Sequence, residues 1–81
     1  MDTEKILERL TPIFHDIFDD ETIIVTVGTS AKDIEDWDSF SQIRLVATIE
    51  KDFRIKFKFG ELNSLHNVGE MIDVIKQKIS D

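Results

Sequence analysis

Between positions 3 and 18 apolar side chains return every three or four residues: Ile6, Leu7, Leu10, Ile13, Phe14, Ile17 and Phe18. That spacing predicts an amphipathic helix with one face on a core. Asp2 or Thr3 is suited to cap its start, and Pro12, which has no N–H to give, predicts a kink or a late restart within it. A second stripe of Leu45, Val46, Ile49 and Phe53 predicts a helix from about 39 to 53. Asp38 or Ser39 would open it, with Gln42, three residues after Ser39, closing a capping box. A third stripe, Val68, Met71, Ile72, Ile75 and Ile79, follows Asn67 as its cap.

The stretch 19–38 has no helical period. Gly28, the paired aspartates and the β-prone residues 23–27 mark it as a long connection anchored by Ile24, Val25, Val27 and Ile34, with a short strand as the alternative. Loops of this length in small domains are functional or disordered, and the apolar anchors predict an ordered one. Residues 54–59 alternate charged and apolar side chains, a strand-like pattern. With no evident partner strand they are read as an extended linker. Residues 60–65 have room for one helical turn.

The second helix has two apolar faces. At 100° per residue, Phe40, Ile43 and Ala47 form a line about 140° away from the core stripe. A chain of 81 residues buries only about 60% of the surface it exposes when unfolded, so its interior is too small to take both faces easily. The second line therefore meets a partner or ligand, or the long loop folds over it; the pattern alone leaves both open. Arg44 and Lys51 flank the line on one side and Glu50 on the other. Ser39 stands at its N-terminal end, where free N–H groups and the positive end of the helix dipole would stabilise a phosphate on the hydroxyl. The plain alternative is a capping serine.

Composition bounds the chemistry. The length suits one domain over 1–81 and leaves little room for a self-contained active-site pocket. The absence of cysteine removes disulfides, thiolate nucleophiles and cysteine-ligated zinc, and His15 and His66 alone make a poor metal set. Neither histidine is given a catalytic role: His15 is placed on the exposed side of the first helix and His66 near the cap of the last. Ser39 lacks the nucleophile elbow and the downstream acid and histidine of a hydrolase. The aspartate clusters lack the glycine and terminal glutamate of a calcium loop.

A formal charge of −7 opposes binding to a phosphate backbone, so nucleic acid is not an expected partner. The charge is also uneven: residues 1–38 hold eleven acids and three bases, whereas residues 39–59 hold two acids and five bases. Apolar runs are about three residues long, far short of a membrane span or a signal-peptide core. The expectation is a cytoplasmic monomer that does not insert into membranes.

Asp38-Ser39-Phe40 at a helix start, about twenty residues past a first helix, resembles the D-S-[LF] attachment site of acyl carrier proteins. Thr29-Ser30-Ala31-Lys32-Asp33-Ile34 is similar to the T-S-x-x-D-[LI] loop that precedes the site in that family. The segment from Ile43 to Phe53 follows its V-x-L-V-x-x-[LI]-E-x-x-F helix without a gap, and Asn67 to Ile72 resembles the start of its last helix. D-S-[LF] alone is weak; the ordered set, spanning roughly 6–79, is specific.

The resemblance implies an all-α bundle of three longer helices and one short one, with a long ordered loop between helices 1 and 2. It implies a carrier rather than an enzyme. A 4′-phosphopantetheine arm would be installed on Ser39 from coenzyme A by a phosphopantetheinyl transferase, with Asp38 and Phe40 as flanking recognition residues. Acyl ligase, synthase or acyltransferase enzymes would dock on Phe40, Ile43, Arg44, Ala47 and Lys51. An acyl chain would shelter in a cavity between helices, whose volume depends on the packing of Ile43, Val46, Leu62, Val68 and Ile72. Three positions depart from the pattern. Ser41 and Arg44 stand where carriers of fatty-acid synthesis are usually acidic, and Asp36 where Gly is frequent. Like charge at Arg44 works against the basic patches of fatty-acid synthase enzymes, which points to a dedicated lipid-modification, polyketide or aminoacyl pathway. An unmodified docking module and an aminoacyl or peptidyl carrier are the alternatives.

Overall fold

The computed structural model describes residues 2–62 and 65–79, and within them the chain forms four helices. These are α1 (Thr3–Phe18), α2 (Ser39–Phe53), the single turn α3 (Phe59–Leu62) and α4 (Val68–Ile79). Apart from one isolated bridge between Ser30 and Asn67, no strand pairing occurs among the described residues. The expected turn at 60–65 begins one residue early, at Phe59, and residues 63 and 64 lie outside the described residues.

Asp2 caps α1 by accepting from the Lys5 N–H at 2.9 Å. The helix does not restart at Pro12; it runs unbroken for 16 residues. Pro12 and Glu8, whose carbonyl the proline cannot serve, are both exposed, so water can take the orphaned acceptor. Both long helices end on a left-handed residue that is not glycine, Asp19 at φ 50° and Arg54 at φ 58°.

Ile6, Leu10, Phe14 and Phe18 of α1 pack against Leu45, Ile49 and Phe53 of α2 and Met71, Ile72 and Ile75 of α4. Helices α1 and α2 lie antiparallel. At one end the Arg9 guanidinium reaches the Asp52 carbonyl and carboxylate, both at 2.8 Å, and covers the Phe53 ring at 4.3 Å. At the other end Phe18 faces the first turn of α2.

The 19–38 connection is ordered, as its anchors predict, but only half of them serve. Val25 and Ile34 are buried, whereas Ile24 is 81% exposed and Val27 also faces solvent. Backbone hydrogen bonds supply the rest of the order. The Val68 N–H donates to the Thr29 carbonyl at 2.8 Å and the Gly69 N–H to the Val27 carbonyl at 2.9 Å. The Glu70 N–H donates to Asn67 Oδ1 at 2.8 Å, so the orphan donors of α4's first turn are satisfied by loop and cap together. A Cβ at Gly69 would sit 3.0 Å from the Val27 carbonyl oxygen; glycine is what lets loop and helix approach so closely. Buried Thr29 accepts from the Thr26 N–H at 2.9 Å. His15, expected on an exposed face, is half-buried, and its Nε2–H donates to the Ile23 carbonyl at 2.7 Å.

Trp37 closes the loop. It is 7% exposed, stands edge-on to Phe14 at 5.4 Å between centroids, and donates its indole N–H to Gln42 Oε1 at 2.6 Å. Replacing Trp37 with Ala should lower unfolding free energy by about 3–5 kcal/mol, the usual cost of emptying a large aromatic site. Urea denaturation of both proteins measures it, and a loss below about 1 kcal/mol would contradict the packing described.

Three carboxylates, Asp20, Asp38 and Glu61, are held below their ordinary range chiefly by hydrogen bonds donated to them, from Thr22, from Ser41 and from the Lys58 N–H respectively. A depressed folded-state pKa adds stability that is complete above the unfolded value and is lost as pH falls through the folded one. The melting temperature should therefore decline as pH drops below about 4. Asp38→Asn keeps a capping side chain that cannot titrate. Its melting curve should approach that of the wild type in acid, and a gap that widens in acid would contradict this.

Candidate functional site

The first turn of α2 is built around Asp38. This residue sits in extended backbone as the N-cap and accepts from the Phe40 and Ser41 N–H groups, both at 3.0 Å. Ser41 Oγ in turn accepts from the Asp38 N–H at 2.8 Å, which closes the capping box. The box was expected between Ser39 and Gln42; counting from Asp38 instead places Ser41 at the third helical position. Gln42 is thereby free to hold Trp37, a role the sequence did not suggest.

Ser41 is consequently buried, with its hydroxyl turned to the Asp36 carbonyl at 3.0 Å. It belongs to the helix start, not to the exposed face where its departure from the family pattern would affect partners.

Ser39, the first residue of α2, is exposed, and its hydroxyl has no hydrogen-bond partner among the described residues. The cap leaves this side chain idle, since Asp38 and not Ser39 performs the capping. One sequence expectation changes here. The N–H groups of Phe40 and Ser41, anticipated as free donors for a phosphate, are already taken by the Asp38 carboxylate.

From Ser39 an apolar ridge descends α2. Phe40 is 80% exposed and Ile43 68% exposed, and Ala47 is open to solvent one turn further on. The long loop does not cover them. The opposite face carries the buried Leu45, Ile49 and Phe53, so the helix divides its two apolar lines between core and surface. Arg44 and Lys51 stand exposed beside the ridge, and the Arg44 guanidinium makes no ion pair among the described residues.

Two depressions adjoin this face. One, of about 370 Å³, is bounded by Trp37, Ser39, Gln42, Leu62, Leu65 and His66 among others. The other, of about 330 Å³, is formed by Gln42, Ile43, Val46, Ala47, Glu50 and Leu62. Gln42 and Leu62 border both, so the two depressions lie side by side along α2, the first beside Ser39. Of the five residues whose packing was expected to set a cavity between helices, Ile43, Val46 and Leu62 line the second depression. Val68 and Ile72 are buried in the core between the helices, on the α4 stripe that packs the bundle. Among the described residues there is no cluster of acids and histidines able to hold a metal, and no helix long and apolar enough to cross a membrane.

No protein-family model matches the chain. Among solved structures it is similar to holo acyl carrier protein from Geobacter metallireducens, determined in solution by NMR. The two are 46% identical over 91% of this chain and 85% of that one, with a TM-score of 0.86. An exposed serine opening a helix, an apolar ridge beside it, and this identity over nearly the whole length lead to one conclusion: the chain belongs to the acyl carrier protein family and is a carrier rather than an enzyme.

Proposed function

We propose that Ser39 carries a 4′-phosphopantetheine arm through a phosphodiester, and that the chain, acting as one domain over 1–81, presents acyl groups on that arm to separate enzymes. One observation carries this reading: the Ser39 hydroxyl is exposed and uncommitted at the head of an uncovered apolar ridge. The residues present fit the group. A transferase can reach the hydroxyl, and a groove bordered by Gln42, Leu62, Leu65 and His66 begins beside it. When bound, the arm supplies a terminal thiol that holds the acyl group as a thioester; bond making and breaking belong to the partner enzymes.

The chain's own residues do the positioning. Asp38 fixes the start of α2, Trp37 and Gln42 fix its tilt, and Ser39 is thereby pointed away from the core. Phe40, Ile43 and Ala47 give a docking enzyme an apolar strip, with Arg44 and Lys51 beside it. Delivery by a docked carrier raises the local concentration of acyl group at the partner's active site. With Ser41 buried, the case for a partner set outside standard fatty-acid synthesis rests on Arg44. A cation on the docking face favours partners that present a carboxylate and disfavours basic ones.

Incubating the apo-protein with coenzyme A, Mg²⁺ and a broad-specificity phosphopantetheinyl transferase should add one phosphopantetheinyl group by mass, and Ser39→Ala should add none. No gain in the wild type, as an unmodified docking module requires, or a gain that survives the substitution, would overturn the assignment. Arg44→Glu should raise KM for the enzymes that load and unload the carrier, by about tenfold, while leaving kcat close to wild type. Unchanged kinetics there, together with full acceptance of the wild type by fatty-acid synthase enzymes, would remove the case for a dedicated pathway.

A further inference from the structure

The pole of the molecule opposite Ser39 has a different character. Beyond the last turn of α2 the chain runs without regular secondary structure through residues 55–58 before entering α3. The N–H groups of Ile55 and Phe57 are spent on Glu50, on its carbonyl at 3.1 Å and its carboxylate at 2.8 Å. Ile55 and Phe57 are half-buried against the core cluster, while Arg54, Lys56 and Lys58 are exposed. With Glu61, Gln77 and Lys78 this segment encloses an open groove of about 380 Å³.

The nearby carboxylates already have partners, Glu61 within the groove itself, where it pairs with Lys78 and accepts from the Lys58 N–H. Asp52 is bound by Arg9 and Glu61 by Lys78, each at 2.8 Å. The Lys58 charge acts on Glu61 at longer range, but Arg54, Lys56 and Lys58 form no ion pair among the described residues. The α2 dipole does not explain these lysines, because its influence ends within the last turn. Arg54 also occupies a left-handed conformation, φ 58° and ψ 46°, that glycine would adopt without strain. At the edge of the segment Phe59 is 84% exposed.

From these observations we infer that the groove formed by residues 54–58 and the end of α4 is a second docking surface, fitted to an acidic segment of a partner protein. Charge complementarity selects this occupant over a lipid bilayer or a nucleic acid. Those extended anionic surfaces act on the whole molecule, whose net charge is −7. A short acidic segment feels only the charges within about 10 Å of it. At about 1.5 Å of rise per residue, the 15 residues of α2 hold the Arg54 end of this groove roughly 20 Å from Ser39, while its Glu61 end adjoins Leu62, which borders the depression beside Ser39. A partner seated here leaves the Ser39 end accessible and retains the carrier nearby, and the inference does not depend on what Ser39 carries.

The test is backbone amide NMR of the ¹⁵N-labelled chain titrated with a short polyglutamate peptide. Polyglutamine of equal length and phosphatidylglycerol vesicles form separate arms. The expected result is shifts confined to residues 54–62 and 75–79 that disappear at high salt. Affinity should fall about tenfold in the double variant Lys56→Glu, Lys58→Glu, and by less in Lys56→Gln, Lys58→Gln, with the helical circular dichroism unchanged. Four results would each overturn the inference: no shifts, shifts equal to those from polyglutamine, indifference to both double variants, or tighter binding to vesicles than to peptide. Ser39→Ala should give the same titration as wild type, which separates failure here from failure of the carrier reading.

Discussion

Trp37 is where the loop, the first helix and the second are fixed to a common geometry. Its ring is wedged edge-on to Phe14 and lies 6.3 Å from Phe18, while its N–H reaches Gln42 on the first turn of α2. A buried indole needs a hydrogen-bond partner as well as apolar walls, and here the two requirements are met from different helices. The Asp38 cap sets where α2 begins; a cap has no means of setting where the helix points. That direction comes from the tryptophan, and with it the separation of one apolar line into the core and the other into solvent.

The helices were legible because their apolar spacing is regular and their caps are chemically explicit. Asn67 caps as expected, Asp38 is the one of two candidates that caps α2, and α1, α2 and α4 keep their expected extents. What could not be read depends on packing between segments distant in the chain. Ile24 and Val25 are adjacent and both apolar, yet one is exposed and the other buried, because an irregular loop has no period to say which side faces in. Ser41 took the box role expected of Gln42 because a box counted from Asp38 fits the backbone as well as one counted from Ser39, and Gln42 instead meets the need of Trp37 for an acceptor. The site itself was legible as a two-faced helix, and the loop's failure to cover Phe40, Ile43 and Ala47 required the structure.

The uneven charge along the chain acquires a spatial meaning from α2. Asp19, Asp36 and Asp38 gather at its N-terminal end, where the dipole is positive, and Lys51 and Arg54 stand at its C-terminal end, where it is negative. The helix and the side chains around its ends are thus electrostatically matched. They leave a molecule that is acidic at the Ser39 pole and locally basic at the other. Arg44 interrupts that gradient, since it is a cation on the exposed face close to the acidic end. Neither the dipole nor an ion pair among the described residues accounts for it, which is why it carries weight in the reading of partner choice.

The Asp38 carboxylate also changes how a phosphodiester on Ser39 would be accommodated. A bare helix tip offers an anion several free N–H groups, but this tip has already given two of them to Asp38. A second negative charge on the neighbouring side chain would share the dipole's field with the first and would gain little from it. Exposure resolves the conflict. Asp38 and Ser39 both face solvent, where water screens the repulsion between two charges to about 1 kcal/mol or less at 4 Å. The helix tip therefore serves less as an anion pocket than as a rigid mount. Asp38 keeps the backbone in place whether or not a group is attached, and the hydroxyl beside it is held out where a large enzyme can reach it.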